Sequence, residues 1–273
     1  LLLMAVSSTV AVSPLGVDNM KVKVNGKKLK NKIEAVLLKG KWNYGLNNKQ
    51  DILHSSIVMS VNTDANSLTV FNADPATYVE NTITYEEYDK TESGRFAIDS
   101  DILLKYLSDE NCVLSLEDNL LRLSTERKTV KLPILERHQY NDNIIHTHKN
   151  LEWSRDIEKP IVISQRTSLT TRIKVPTDEL IEALKDCESV GNSVYKLNYN
   201  DGEFTVSSSK NIESVSITVE CLNGRGENAT VEFSTPLYKY LSNPITIISF
   251  NDESPICIMN GNFNLLRAPR IEG

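Results

Sequence analysis

The order of predicted helices and strands repeats in the two halves of this 273-residue chain, and the repeat limits the folds that are open to it. In the first half, a strand precedes an amphipathic helix at 26–38, and a run of strands precedes a second helix at 99–107. In the second half, a strand precedes a helix at 176–188, and further strands precede a short helix at 234–241. Both halves read strand–helix–strands–helix–strands, which predicts an α+β fold of two similar domains with antiparallel sheets.

Turn and cap residues mark the boundaries of these elements. An Asn-Asp-Gly segment at 200–202 lies between two alternating segments and predicts a β-hairpin. An Asn-Gly-Asn segment at 260–262 predicts another hairpin, after which Pro269 ends the sheet because proline has no N–H to donate. Asp99 or Ser100 is placed to cap the second predicted helix.

Lysines are concentrated on the first predicted helix, although the chain as a whole has a net charge of −6. They are Lys27, Lys28, Lys30, Lys32 and Lys39. One interpretation is a solvated helix face. The other is a local basic patch that contacts the phosphates of DNA, which an acidic protein needs if it binds DNA at all.

Residues 137–168 form the least periodic part of the chain, and we expect an exposed linker there. The segment carries more apolar residues than a free linker needs, Trp153 among them. His146 and His148 share one side of an extended stretch and are a candidate metal pair, but no third ligand lies at a usual spacing. The sequence therefore predicts no metal and no cofactor.

The sequence shows no motif for catalysis. It has no glycine-rich phosphate loop, no G-x-S-x-G elbow and no metal-ligand cluster, so a binding or scaffold protein is favoured over an enzyme. Four cysteines without C-x-x-C spacing lie in apolar patterns, which predicts buried free thiols in a reducing compartment. No apolar run reaches the length of a membrane span. Residues 1–19 lack Lys and Arg, and we expect an extension outside the fold that need not be native.

Several segments resemble the proliferating cell nuclear antigen (PCNA) family of archaeal and eukaryotic DNA sliding clamps. The tail Leu-Leu-Arg-Ala-Pro-Arg-Ile-Glu at 265–272 is similar to the end of those proteins, although by itself it is also compatible with a frayed C-terminal hairpin. Segments 185–194 and 233–241 resemble the family too, as does the Asp-Pro turn within 72–77. Together with the repeated element order, they extend the resemblance over residues 20–273.

The resemblance implies the DNA-clamp fold. In that fold, each of two similar domains places two helices on the inner face of a ring and antiparallel sheets on the outer face. The divisions implied here are clamp domain 1 at 20–136, an interdomain connector at 137–168 and clamp domain 2 at 169–273. Three identical subunits joined edge to edge, a homotrimer, would enclose duplex DNA and contact its phosphates without reading its sequence.

The resemblance also implies three sets of functional residues. DNA contacts would come from the five helix lysines together with Lys105, Lys185 and Lys239. A groove for PIP-box peptides would be formed by Ala73, Tyr78, Pro255, Leu266, Ala268, Pro269 and Ile271. Subunit contacts would run along two strands with open edges, through Leu121 and Leu123 in the first half and Val215 and Ile217 in the second.

The implied function is that of a processivity factor, which tethers DNA polymerase and other PIP-box proteins to double-stranded DNA and is placed there by a clamp loader. The implied location is the cytoplasm, at the nucleoid, for an archaeal protein and the host cell for a viral one. Three alternatives stay open. They are a clamp-like adaptor that does not encircle DNA, a monomeric processivity subunit that holds DNA on one face, and a nuclease or hydrolase with a dispersed site.

Overall fold

The computed structural model describes residues 20–37, 56–73, 76–87, 92–117, 119–135, 151–164, 167–190, 194–210, 212–234 and 240–270. They fall into two compact units. The first unit holds the described residues from 20 to 73 and from 80 to 135, and the second holds residues 76–79 and the described residues from 151 onward. His146, His148 and most of the predicted helix at 234–241 lie outside the described residues.

The described part of the first unit consists of antiparallel strands and two helices. Its elements are β1 (Lys21–Asn25), α1 (Gly26–Val36), β2 (Ser56–Asn62), β3 (Ser67–Ala73), β4 (Thr77–Thr84), β5 (Glu86–Glu87), β6 (Gly94–Asp99), α2 (Ser100–Tyr106), β7 (Asn111–Glu117), β8 (Leu120–Ser124) and β9 (Thr129–Pro133). One sheet has the order β5-β1-β7-β8-β9, and a second group of strands has the order β4-β3-β2-β6. The first residues of β4, within 76–79, cluster with the second unit instead.

The described part of the second unit consists of antiparallel strands and one helix. Its elements are β10 (Ile161–Ser164), β11 (Thr167–Leu169), β12 (Thr171–Pro176), α3 (Thr177–Ser189), β13 (Val194–Asn200), β14 (Glu203–Lys210), β15 (Glu213–Val219), β16 (Asn223–Arg225), β17 (Ala229–Ser234), β18 (Ile245–Phe250), β19 (Ile256–Asn260) and β20 (Phe263–Arg267). Two groups of strands have the orders β15-β14-β13-β17 and β16-β12-β18-β19-β20, and β10 pairs with β11. The predicted α+β class and antiparallel sheets are confirmed.

The helix α1 forms because its sequence combines a cap with an apolar stripe. The side chain of Asn25 accepts a hydrogen bond from the N–H of Lys28 at 2.9 Å, which satisfies a backbone donor of the first turn. Its apolar residues recur at helical spacing and are buried, namely Leu29, Ile33 and Val36. The lysines are thereby left on the solvent side of the helix.

The first residue of α1 must be glycine because two backbone carbonyls crowd it. A Cβ atom on Gly26 would lie 2.1 Å from the carbonyl oxygen of Ser108 and 2.5 Å from that of Glu110. The N–H of Gly26 also donates to the Glu110 carbonyl at 3.0 Å. This close approach joins the start of α1 to the segment between α2 and β7.

The other two helices begin differently from each other. Asp99, and not Ser100, caps α2, because its carboxylate accepts from two backbone N–H groups of the first turn at 2.8 and 3.1 Å. At the start of α3, Pro176 provides no side-chain cap. The hydroxyl of Thr177 is instead hydrogen-bonded to that of Thr246 at 2.9 Å, which ties the start of α3 to β18.

Both predicted hairpins are confirmed. Asp201 and Gly202 have φ values of 50° and 91°, as expected for a two-residue type I′ turn between β13 and β14. The C-terminal hairpin joins β19 to β20, with Asn260 paired to Phe263 across the turn. The strand alternation on either side of each turn sets the register.

The prediction of an exposed linker is wrong for the segment 151–164, which we call the strap. Leu151, Ile157 and Ile161 are buried, and the last two belong to a core cluster with Ile247, Cys257 and Met259 of β18 and β19. Burial of such side chains is favourable by about 1.5–3 kcal/mol each. The apolar content that looked excessive for a linker therefore holds the strap against the second unit.

Candidate functional site

Four of the lysines predicted to contact DNA lie on α1 and reach solvent. Lys27 and Lys28 are exposed, and Lys30 and Lys32 are half-buried. Partial burial lowers the pKa of Lys32, because desolvation disfavours the charged form. The helix thus presents a basic side to solvent. Two further predicted positions, Lys39 and Lys239, lie outside the described residues.

Two more predicted lysines, Lys105 on α2 and Lys185 on α3, are exposed. The Nζ atom of Lys105 lies 5.5 Å from the centroid of the Tyr106 ring, and the Nζ atom of Lys128 lies 4.7 Å from the same centroid. Lys128 follows β8, and no pattern in the sequence had pointed to it as part of a basic surface. In contrast, α3 has two acids in its first turn. The described basic surface is therefore formed by α1 and by the end of α2, and not by α3.

The strand β8 is not an edge strand, so the expectation of an open edge there is wrong. It pairs with β7 on one side and with β9 on the other. Leu121 and Leu123 are fully buried. Their alternation with polar residues marks the core face of an inner strand. A charge at either position would disrupt the core of the first unit and would not report on subunit contacts.

The strand β9 is the terminal strand of this sheet among the described residues. Two backbone hydrogen bonds lie at the ends of the β8–β9 ladder: the N–H of Thr125 donates to the carbonyl of Lys128 at 2.8 Å, and the N–H of Ile134 donates to the carbonyl of Asn119 at 3.3 Å. Because bonded positions alternate along an antiparallel pair, the even-numbered residues of β9 bond to β8. The residues that direct their backbone groups away from the sheet are Thr129, Lys131 and Pro133. Because proline lacks an N–H, this edge has donors at Thr129 and Lys131 only.

Among the described residues, β15 is the terminal strand of the sheet β15-β14-β13-β17, so the predicted edge is confirmed there. The two-residue turn at 201–202 fixes which residues of β14 bond to β13, and β15 therefore bonds to β14 through its odd-numbered residues. The residues with outward backbone groups are Ser214, Ser216 and Thr218. Val215 and Ile217 are half-buried on the face shared with β14, and their role in a subunit contact stays a prediction.

One predicted groove residue, Tyr78, stacks on an aromatic residue of the strap, and another, Leu266, packs against the same core cluster as that residue. The ring centroids of Tyr78 and Trp153 are 6.5 Å apart, and the ring planes differ by 26°. Trp153 and Leu266 are partly buried and pack against the core cluster beneath the strap. An apolar surface of the second unit therefore reaches solvent around Trp153. Another predicted groove residue, Ala73, is buried at the end of β3 in the first unit.

The C-terminal tail is fixed by its backbone. The N–H of Ala268 donates to the carbonyl of Ala76 at 2.7 Å, and the N–H of Arg270 donates to the carbonyl of Glu232 at 2.8 Å. These two donors are therefore not available to a bound peptide. Three predicted groove residues of this region, Pro255, Ala268 and Pro269, are half-buried, and the fourth, Ile271, lies outside the described residues.

Arg267, which stands where the PCNA family usually has leucine, is buried at the end of β20. Its Nη1 atom donates to the hydroxyl of Thr77 at the start of β4. The guanidinium therefore belongs to the interior of the second unit.

A buried arginine that the sequence did not single out lies under the strap. Arg172 of β12 has no exposed area. Its Nε atom donates to the hydroxyl of Ser249 at 3.0 Å, and its Nη atoms donate to the carbonyls of Ser154 and Asp156, both at 2.5 Å, and of Lys159. Burial lowers the pKa of Arg172, while the neighbouring Cys257 and Asp156 act in the opposite direction.

The described residues contain no group of three or more His, Cys, Asp or Glu side chains that could hold a metal ion. All four cysteines are free, as predicted. Cys112, Cys187 and Cys257 are buried, whereas Cys221 is half-buried. Burial raises the pKa of Cys112 and of Cys187 to about 11 and also raises that of Cys257. None of these thiols is activated as a nucleophile. No helix in the described part of the chain is long and apolar enough to cross a membrane.

No family model and no curated protein sequence matches the chain. Solved structures do match it. The chain superposes on Archaeoglobus (A. fulgidus) PCNA, in a structure with the C-terminal region of FEN-1 bound, with a TM-score of 0.68 and 16% identity, over 93% of this chain and 99% of that chain. For the DNA polymerase III β chain of Streptococcus pneumoniae, the TM-score is 0.68 at 15% identity, over 97% of this chain and 68% of that chain.

A DNA polymerase sliding clamp from Pseudomonas aeruginosa gives a TM-score of 0.68 at 11% identity, over 98% of this chain and 70% of that chain. The chain therefore has the sliding-clamp fold, as the resemblance of its tail and its repeated element order implied. The similarity is equally strong to the bacterial β chains and to archaeal PCNA, so it establishes the fold that the two groups share.

Proposed function

We propose that the protein is a DNA sliding clamp, a ring of identical subunits that encircles duplex DNA and keeps replication proteins on it. The observation that carries the proposal is the match to sliding clamps over nearly the whole chain. The exposed lysines of α1 and the open edges of β9 and β15 support it. Clamp domains at 20–136 and 169–273 would be joined by the connector at 137–168, which ends in the strap.

The ring would close by pairing β9 of one copy with β15 of the next, in place of the β8 contact predicted from the sequence. Antiparallel pairing of Lys131 with Ser216 brings all outward backbone groups of the two strands together. It also places Val130 opposite Ile217, and Leu132 opposite Val215, on the apolar faces of the two sheets. Three subunits are the number that the resemblance to PCNA implies.

DNA would be held through phosphates and without sequence preference. The exposed lysines of α1, together with Lys105 and Lys128, supply positive charge on an acidic chain. Contacts to phosphates bind every sequence alike and weaken as salt rises, so they permit sliding. The acids of α3 reduce the contribution of Lys185 to this surface.

Partner proteins would bind the apolar surface around Tyr78, Trp153 and Leu266. The archaeal PCNA with the same fold binds the C-terminal region of FEN-1. By analogy, the partners here are a DNA polymerase and other proteins with PIP-box peptides, which bring an aliphatic residue and aromatic residues to a preformed pocket. A clamp loader would open the ring, and the protein would act wherever the replicating DNA of its cell or virus lies.

Topological retention on DNA tests the central claim. Duplex DNA is attached to beads by one end, the protein is threaded on at low salt over the free end, and that end is then blocked. A ring is expected to survive a wash at 1 M salt and to be released when a restriction enzyme cuts the DNA. The mass of the free protein, measured by sedimentation across concentrations, is expected to be a multiple of the 30.7 kDa chain.

Other outcomes identify the alternatives. A protein that binds whether or not the end was free, and that washes off in salt, is a monomeric processivity subunit. A protein that binds peptides but no DNA is an adaptor. Cleavage of DNA by the purified protein alone, abolished by EDTA, would point to a dispersed hydrolase site. Retention only on DNA threaded through a free end supports the clamp.

A further inference from the structure

The end of the strap, β10, is paired with β11, but the part ahead of β10 is hydrogen-bonded to the rest of the second unit mainly through one side chain. Arg172 donates to the backbone carbonyls of Ser154, Asp156 and Lys159, which lie along this part of the strap. A guanidinium has its donors in a fixed planar fork, so three acceptors around it are restricted together. The position of the strap backbone is therefore set by the position of one buried group on β12.

The other polar ties of the strap ahead of β10 are weaker. Arg155 donates to the carbonyl of Gly261, and Arg225 forms an ion pair with Glu158. All three side chains involved are exposed, and exposed pairs contribute only about 0–1 kcal/mol. The apolar residues of the strap resist its removal, but hydrophobic contact is not directional and does not fix where each residue lies.

Trp153 depends on this backbone for its position. It directly precedes Ser154, whose carbonyl is bonded to Arg172. Its own indole N–H is buried and has no hydrogen-bond partner among the described residues. Within the described part of the chain, the indole is held by packing against the core cluster and by its stacking on Tyr78, and no polar contact orients this ring.

A buried charge bonded only to carbonyls and one hydroxyl is costly as a way to stabilise a fold. Burial of an ion without an opposite charge in contact loses hydration that carbonyl dipoles restore only in part, and an apolar side chain of similar size often gives equal stability. In return, the strap backbone is oriented, because the planar guanidinium can bond all three carbonyls in one arrangement only.

We infer that Arg172 is a positioning residue for the partner groove: it fixes the strap so that Trp153 stands beside Tyr78 before any peptide arrives. This inference rests on the proposed peptide-binding function and deepens it. A groove whose aromatic wall is already in place binds without first losing the freedom of that wall. Loss of Arg172 therefore weakens peptide binding without affecting the subunit edges or the lysines of α1.

The test compares Arg172→Met, which keeps the volume but removes the donors, with Arg172→Lys, which keeps the charge. Arg225→Met is the matched control, since it removes an exposed tie of the same strap. The parent and all variants carry Trp42→Phe, so that Trp153 is the only tryptophan. Amide hydrogen exchange of residues 154–159, acrylamide quenching of Trp153 and calorimetric titration with a Gln-x-x-Leu-x-x-Phe-Phe peptide are measured on the full chain.

For Arg172→Met we expect faster exchange in the strap, stronger quenching of Trp153 and a loss of about tenfold in peptide affinity, the cost of ordering a loosened wall. Retention on DNA and the mass in solution are expected to stay unchanged. Arg172→Lys is expected to recover part of the affinity, and Arg225→Met to match the parent. Wild-type affinity in Arg172→Met despite faster strap exchange would overturn the inference.

Two further results are decisive. If Arg172→Met does not fold, exchange in the parent protein still decides, because strap amides that exchange like those of an unstructured peptide contradict a fixed strap. If even the parent binds no peptide, the proposed groove is wrong. In that case, Trp153 quenching that is equal in the parent and in Arg172→Met also contradicts the positioning role.

Discussion

Replacing Ser216 with proline tests whether β15 pairs with β9 of a neighbouring copy. The N–H of Ser216 points away from β14, so its loss removes no hydrogen bond within the subunit. Proline is tolerated on such an edge, and the preceding residue is already extended. In the proposed pairing of β15 with β9 of a neighbouring copy, which we call the seam, this N–H donates to the carbonyl of Lys131.

The expected loss of association free energy between subunits follows from the hydrogen bonds of the seam. Pairing of the outward residues of β9 and β15 forms about five backbone hydrogen bonds, since Pro133 supplies an acceptor but no donor. Loss of one bond and burial of an unsatisfied Lys131 carbonyl together cost about 2–3 kcal/mol. That corresponds to a roughly 30- to 150-fold increase in the dissociation constant of each interface.

Sedimentation velocity or mass photometry over a wide concentration range measures this change. Ser216→Val is the matched control, because valine keeps the N–H and suits a strand, and it is expected to assemble like the parent. Val215→Pro removes an inward donor and is expected to lower the melting temperature of the subunit itself. The reasoning is refuted if Ser216→Pro dissociates no more readily than Ser216→Val while both melt like the parent.

Three further predictions concern DNA binding, backbone packing and the buried thiols. Replacing the four described lysines of α1 with glutamine is expected to weaken binding to unrelated duplexes equally and to reduce the salt slope measured by fluorescence anisotropy, by about 0.9 for each phosphate that is no longer neutralised. Gly26→Ala is expected to lower the free energy of unfolding in urea by about 1–3 kcal/mol, because its methyl group meets two backbone carbonyls, whereas Asn31→Ala on the exposed side of α1 serves as a nearly neutral control. Because burial raises the pKa of Cys112 and of Cys187 to about 11, their contribution to stability is complete below the unfolded-state pKa of about 8.5 and is lost as the pH rises towards 11. A titration of the free energy of unfolding is expected to show this fall, and a variant with alanine at both positions is expected to show less of it.

Local chemistry was sufficient to predict most of the elements. The Asn-Asp-Gly turn at 200–202 requires positive φ and so fixed a hairpin, and the spacing of apolar residues on α1 fixed its buried side. These features depend on neighbours within a few residues along the chain. The sequence therefore carries them directly.

Strand neighbours and the strap could not be predicted in the same way. An inner strand with one buried face and an edge strand show the same alternation, so Leu121 and Leu123 gave no sign that β9 lies beyond them. The role of Arg172 was hidden as well, because its acceptors are backbone carbonyls, which leave no trace in a pattern of side chains. Arginine is also a residue type that is usually exposed, so its type gave no sign of a buried role.

Pro133 gives the edge of β9 a different set of backbone donors from the edge of β15, and this has a consequence for the symmetry of the assembly. Two β9 edges facing each other would be short of donors, so β9 pairs better with the fully equipped edge of β15 than with its own copy. Contacts between unlike patches point every subunit in the same direction, and when such a chain closes the result has rotational symmetry without two-fold axes in its plane. A ring built in this way has a front and a back. All peptide sites would then lie on equivalent positions with one common orientation, so proteins carried by the ring would all face the same way along the duplex.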